Sequence, residues 1–271
     1  VFSGHGKHLD CPTLRLTNHH GLMIAGEAAL SNWDAGMDMY IYGKLGNLTM
    51  TKEGINVLMT NLTGKVPPIL QRLDYIRFNG EAAGYLHDLT LTGLFHTGAG
   101  MVKTDVMMSI DEQSMSRTYS GSVASADLDL GKLLNQEKKF GKVDFNVELK
   151  GFNYKNRYPE SYIKGIISSF EYSQYQYENI MLDGVYKDGG FNGRLSMDDA
   201  NGSVQIDGNF NVAKTIPDFN LKASVKNLRP HDLHLSDKYE NASISLGLTA
   251  DFTGKSIDDM NGRISLDSLQ L

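Results

Sequence analysis

Apolar and polar residues alternate through stretch after stretch of this chain, and that rhythm limits what it can fold into. In Lys142-Val143-Asp144-Phe145-Asn146-Val147-Glu148-Leu149 every second residue is apolar. Gly193-Arg194-Leu195-Ser196-Met197 and Ser203-Val204-Gln205-Ile206-Asp207-Gly208-Asn209-Phe210-Asn211 repeat the beat with glycine among the apolar positions. Side chains of a strand point alternately to two faces, so each stretch has one oily face and one wet face. A chain made almost wholly of such strands, with few helices to cover the oil, builds a sheet with an apolar side. That side must fold on itself, meet a partner or hold something apolar.

The 271 residues leave room for one or two domains and a sizeable core. Apolar residues at 41% and charged residues at 21% exclude a disordered chain. The 28 glycines have no collagen period, and in a strand-rich chain they mark turns, bulges and sharp bends. The formal charge of −6 without a basic stripe argues against nucleic acid as a partner. Cys11 is the single cysteine, so an internal disulfide is excluded. No apolar run reaches transmembrane length. The chain opens in strand-like sequence, Val1-Phe2-Ser3, without a methionine, and we read it as a piece of a longer protein.

Strands are expected at Thr13–Thr17, Leu22–Leu30, Met37–Gly43 and Ile55–Thr60. Pro67-Pro68 then breaks the pattern and starts one or two helical turns over Ile69–Leu73. Three further strands follow over 75–109, with Tyr75–Gly80 leading into Tyr85–Thr92 and Met101–Met107. Thr118–Ser125 is another, and Asp127–Leu134 reads as a strand end running into a short helix. Glu137-Lys138-Lys139 is a solvated link, which allows a subdivision into 1–136 and 137–271. Beyond it strands are expected at 142–150, 161–170, 176–186, 190–197, 202–211, 218–227, 241–252 and 261–267. Lys187-Asp188-Gly189-Gly190 and Asp198-Asp199-Ala200-Asn201-Gly202 are hairpin connections. About fifteen strands exceed what an open sheet holds without curling or splitting. Curling gives a trough with the apolar side inside, and splitting gives a sandwich; alternation does not choose between them.

Residues able to carry chemistry are few. No nucleotide fingerprint, Walker sequence or serine nucleophile elbow is present. His5, His8 and Cys11, three apart, with Asp10 and His19-His20 nearby, are metal-ligating types, but Pro12 and the strand that follows oppose the helix such spacing needs. We expect a polar chain end there and no metal or cofactor. Asp198-Asp199 and Asp258-Asp259 read as turn residues rather than paired catalytic carboxylates. Tyr154, Tyr158, Tyr162, Phe170, Tyr172, Tyr175, Tyr177 and Tyr186 make an aromatic-rich region, suited to cross-strand packing or to a carbohydrate platform. The expectation is a protein that is not an enzyme.

Several segments resemble the AsmA/TamB-like superfamily of bacterial envelope proteins in its Bacteroidota form. They are Ser161–Tyr172, Tyr177–Gly184, Gly193–Asp199, Pro217–Leu221 and Leu233-His234-Leu235; then Gly84–Gly93 with the Thr97–Gly100 turn; then Gly121-Ser122-Val123 leading to Asp127–Leu134. Together they cover about two thirds of the chain, and residues 1–60 carry only the general rhythm. The resemblance implies one elongated segment, 1–271, of an all-β fold: a long, highly curved, mostly antiparallel sheet forming a U-shaped hydrophobic groove, with one or two short helices. It implies a periplasmic body anchored in the inner membrane from outside this segment. The function implied is passage of phospholipid acyl chains between inner and outer membranes in outer-membrane biogenesis. One branch of the family is tied to outer-membrane protein assembly, so assembly proteins are candidate partners. The family carries no catalytic residues.

The lining expected of such a groove is Val143, Phe145, Val147, Leu149, Ile180, Leu182, Phe191, Leu195, Met197, Val204, Ile206, Phe210, Phe219, Leu221, Val225, Ile244, Leu246 and Leu248. The same residues would serve as a plain sandwich core. Two other functions fit the rhythm: a β-sandwich carbohydrate-binding or adhesion module, and a structural or chaperone-like component that holds no lipid.

Overall fold

The computed structural model describes residues 3–111, 113, 114, 116–153, 160–211, 213–238, 240–255 and 259–270. The protein is all-β. Among the described residues it has seventeen strands and three short α-helices, and its antiparallel sheet does not close into a barrel. The chain divides into two compact units, Val1–Lys138 and Lys139–Leu271.

The first unit contains β1 (Ser3–His5), β2 (His8–Thr17), β3 (Leu22–Ser31), β4 (Tyr40–Thr51), β5 (Tyr75–Tyr85), β6 (Asp88–Thr97), β7 (Gly100–Ile110), β8 (Arg117–Ala126) and β9 (Leu128–Asp129). From β1 to β8 each strand pairs antiparallel with the next. The second unit contains β10 (Phe140–Asn153), β11 (Glu160–Tyr172), β12 (Tyr175–Lys187), β13 (Gly190–Asp199), β14 (Gly202–Asn211), β15 (Asp218–Leu228), β16 (Ile244–Thr253) and β17 (Asn261–Gln270). These too form an antiparallel meander.

Two sequence expectations need correction. Ile55–Thr60 is not a strand but the middle of α1 (Lys52–Thr63). Thr51 caps this helix by accepting the Gly54 N–H at 3.3 Å, and Gly64 ends it at φ 74°. Ile55 and Met59, one turn apart, face the sheet; residues 55–60 read as a strand through Ile55, Val57 and Met59 and as a helix face through Ile55, Leu58 and Met59, and the caps decide. Tyr85–Thr92 is not one strand either, because β5 and β6 turn at Leu86-His87. That turn contains no glycine, proline or asparagine to announce it. The fourth strand starts at Tyr40, after a 3₁₀ turn at Gly36–Asp38. The expected helical turn after Pro67 is α2 (Pro68–Gln71), and the expected strand-to-helix passage is β9 followed by α3 (Leu130–Leu134), capped by Asp129 accepting the Lys132 N–H at 2.8 Å.

Core-level burial is scarce: within strands it is met at residues such as Cys11, Phe78 and Ala250, and otherwise it gathers at strand ends. In the first unit Ile55, Leu73, Ile76 and Ala99 pack together, with Met50, Met59, Leu70, Phe95 and Leu133 around them. In the second unit the connection after β15 folds back so that Leu233 is fully buried. Its carbonyl accepts the Tyr177 hydroxyl at 2.7 Å, and His234 Nδ1 lies 2.9 Å from the Ser173 carbonyl.

Candidate functional site

The register of the second unit aligns its apolar residues into four rows that run across the strands. From β10 to β17 the first is Phe145–Ile167–Ile180–Met197–Val204–Val225–Leu246–Leu269, and the second is Val147–Gly165–Leu182–Leu195–Ile206–Ala223–Leu248–Leu266. The third is Leu149–Ile163–Gly184–Gly193–Gly208–Leu221–Ala250–Ile264, and the fourth Gly151–Ser161–Tyr186–Phe191–Phe210–Phe219–Phe252–Gly262. Apart from Ser161 and the Tyr186 hydroxyl, the face these rows form is apolar. It measures about 34 Å across eight strands at about 4.8 Å per strand.

From β10 to β15 residues on this face are mostly half-buried, while most of their neighbours on the other face are exposed. Within the unit the eight strands form one continuous antiparallel meander, each paired with its neighbours in sequence. Each apolar side chain there is flanked by those of the neighbouring rows. At β17 even that support thins: Ile264, Leu266 and Leu269 are 45%, 57% and 55% exposed.

In the third row Gly184, Gly193 and Gly208 stand side by side on three successive strands and form a crease, a line of close backbone approach. Gly193 has φ 156° and Gly208 φ 145°. A Cβ on Gly193 would lie 2.3 Å from the Asp183 carbonyl oxygen and 2.4 Å from Gly184 Cα. One on Gly208 would lie 2.3 Å from the Asn220 carbonyl oxygen. The backbone of the paired strand therefore comes so close to each glycine that a side chain there would collide with it. The fourth row flanks the crease with aromatics on five successive strands, Tyr186 to Phe252. Phe191 and Phe210 have ring centroids 5.8 Å apart, and Phe219 stacks on Phe252 at 4.7 Å.

All the expected lining residues except Val143 and Ile244 fall in these four rows. Those two lie just beyond the first row, Val143 opposite Phe170 and Ile244 opposite Leu228. The expected lining omitted Ile163, Ile167, Tyr186, Ala223, Ala250, Phe252 and the apolar residues of β17. It also omitted the first unit, where the same design recurs. There one row is Leu16–Ile24–Leu48–Phe78–Phe95–Val102–Ser125, and the next is Leu14–Gly26–Leu45–Gly80–Gly93–Thr104–Val123. The Phe78 ring covers the crease: a Cβ on Gly93 would meet it at 2.4 Å. The signal was the same alternation; what sequence lacked was the lateral alignment.

The opposite face is a charge lattice. Glu148, Lys164, Asp183, Arg194, Asp207 and Lys222 lie side by side on six strands with alternating sign. Lys164 and Asp183 are 3.3 Å apart, and Arg194 and Asp207 3.0 Å. The Tyr162 hydroxyl donates to Asp183 at 2.8 Å, and that bond, with Lys164 beside it, holds the carboxyl below its ordinary range. A depression of about 800 Å³ on this face of the first unit has Glu27, Lys44, Glu81 and Lys103 in its lining, a mixture of signs without a convergent acid–base pair.

The remaining sequence candidates fall in structural positions. His5 pairs with His8 across the β1–β2 turn, His8 bonds Ser31 Oγ at 2.7 Å, and Cys11 is buried 3.5 Å from the Thr13 carbonyl. Among the described residues no group of three or more His, Cys, Asp or Glu is placed to hold a metal. Asp199 organises its turn: it accepts the Glu178 and Asn201 N–H groups at 3.1 and 2.9 Å and the Tyr175 hydroxyl. Burial, with help from Asp199, pushes Tyr175 up to about 12. Asp259 accepts the Lys255 N–H. Tyr175 and Tyr177 share a face, rings 4.8 Å apart, and pack with Phe170 and His234 at the end closed by Leu233. Tyr154, Tyr158 and Asp258 lie outside the described residues. Among the described residues no helix is long and apolar enough to cross a membrane. Comparison of the chain with family models, curated proteins and solved structures finds no match.

Proposed function

We propose that this chain is a segment of an AsmA/TamB-like envelope protein, and that its creased apolar face holds phospholipid acyl chains as a non-enzymatic conduit between inner and outer membranes. The observation that carries this reading is the alignment of the rows: eight successive strands of one meander place apolar side chains in register on one face. A contiguous apolar face of that extent is a binding surface or a liability. Each buried methylene is worth about 0.8 kcal/mol, so a lipid leaves a bilayer at little cost only if its new surroundings are nearly as apolar. Rows without a charged station meet that condition. Their contacts are non-directional, so a chain can move from one strand to the next, while the headgroup stays in water at the lip. In this reading the body lies in the periplasm, and an inner-membrane anchor and outer-membrane assembly proteins are its partners.

Native mass spectrometry of the purified chain tests the proposal. Phospholipid should co-purify with it. Leu195→Asp and Ile206→Asp, which place a carboxylate at facing positions of one row, should release that lipid while the far-ultraviolet circular dichroism stays unchanged. Wild-type protein with no lipid, or variants that retain it, would end the conduit reading. Glycan binding without lipid would favour a carbohydrate module instead.

A further inference from the structure

The chain has one tryptophan, Trp33, and it is 48% exposed on the connection between β3 and β4. That connection is part of a braced rim at one end of the first unit. Asn32, at φ 55°, donates its N–H to the Lys7 carbonyl at 2.9 Å and so ties the rim to the β1–β2 turn. Leu86 donates to the Met39 carbonyl at 3.1 Å, and His87 Nδ1 lies 3.0 Å from the Met37 carbonyl, which ties it to the β5–β6 turn. Lys7 lies 2.8 Å from Asp34, and the His87 ring lies 3.6 Å from Asp38. What the rim turns outward is aromatic. Tyr85 is 44% exposed, meets Tyr40 edge-on at 5.4 Å and stacks on His87 at 5.4 Å. Immediately behind it starts the row Leu30–Ile41–Gly84–Leu89, so the apolar face runs up to the rim.

We propose that this rim docks on the zwitterionic surface of a lipid bilayer, with Trp33 and Tyr85 seated at headgroup level. Tryptophan and tyrosine combine an apolar body with a polar edge and concentrate where hydrocarbon meets water. The cross-tied backbone presents them in one arrangement, so little ordering entropy is lost on contact. Because Lys7 is paired with Asp34 and the rim's remaining carboxylates, Asp38 and Asp88, are exposed, the attraction is partition of aromatic surface rather than a pull on anionic headgroups. That separates it from recognition of an anionic membrane, which needs clustered lysine or arginine. The docking rests on the rim's own chemistry and not on the acyl-chain reading.

Trp33 reports directly, since all tryptophan emission comes from it. On adding phosphatidylcholine–phosphatidylethanolamine vesicles to the full chain, emission should move to shorter wavelength, lose its sensitivity to iodide and be quenched by brominated acyl chains. The shift should be the same at low and high salt. Tyr85→Ala should weaken it several-fold, and Trp33→Ala should abolish co-sedimentation with vesicles. Leu195→Asp, in the other unit, should leave the docking intact, so that failure of lipid carriage and failure of docking are told apart. Emission unchanged at saturating vesicles would overturn the proposal. So would a shift seen only with anionic vesicles and erased by salt, or wild-type co-sedimentation of Trp33→Ala.

Discussion

In the first unit α1 and α2 are brought against the strand ends, and Ile55, Leu73, Ile76 and Ala99 are 1 to 9% exposed. In the second, among the described residues, no helix is present, and a returning loop supplies one fully buried side chain, Leu233. The apolar rhythm of the strands is the same in both. Alternation therefore defines which face is oily, while an inserted element of a different period defines how much of that face becomes core. The first unit converts one end of its rows into a packed interior. The second leaves most of its rows as surface, with an aromatic rail beside a glycine crease, and is the stronger candidate for holding an apolar ligand.

Paired truncations put the largest strain on this contrast. Ile55→Ala removes a side chain with no route to solvent and should destabilise the protein by about 2–5 kcal/mol, read from urea unfolding. Leu195→Ala, on a half-buried row, leaves no sealed cavity and should cost well under half as much. Equal losses would mean that the second unit's face is packed as tightly as the first unit's core. A step smaller, Gly193→Val drives a β-branched side chain into the Asp183 carbonyl at a backbone angle that disfavours it, with a penalty of about 1–3 kcal/mol. Gly43, in a first-unit row, has nothing within 4 Å of its Cβ position. Gly43→Ala should stay within about 1 kcal/mol of wild type, on the stabilising side. A tolerated Gly193→Val would show that the crease is not set by the backbone approach.

Much of this architecture was legible in the chain because a strand writes its face into every second residue. Val143 to Leu149 and Phe191 to Met197 declare their parity without a structure. What resisted was whatever depends on a neighbour. Ile166 and Ile167 are adjacent, so β11 hides which of them faces inward until a bulge and its partners in β10 and β12 settle it. The glycines of the crease are visible one by one, yet their alignment on three strands follows only from register. Ile55–Thr60 misled for the opposite reason, since its decisive signals, Thr51 and Gly64, lie outside the apolar run. The closure by Leu233 was illegible, because Leu233 and Leu235 stand alike in a polar loop, and only the fold buries the first and leaves the second 54% exposed.

The smallest expected effect concerns the polar face, where the second unit has six alternating charges in line. Exposed pairs of this kind contribute little and are screened by salt, so Arg194→Ala should be nearly silent at high ionic strength. Asp183 offers a sharper reading. The Tyr162 hydroxyl and Lys164 lower its pKa in the folded protein, so the folded state binds its proton less readily than the unfolded state does. Its contribution is then complete above the unfolded-state pKa and fades as pH falls through the lowered, folded-state value. Wild type should lead Asp183→Asn by a constant margin at neutral pH, and that margin should shrink only in acid. Tyr162→Phe, which removes the leading cause of the shift, should shrink that margin and complete its loss at a higher pH. If the margin instead grew in acid, or stayed flat through the carboxylate range, the lattice would be decoration on a sheet whose register is set entirely by its apolar rows.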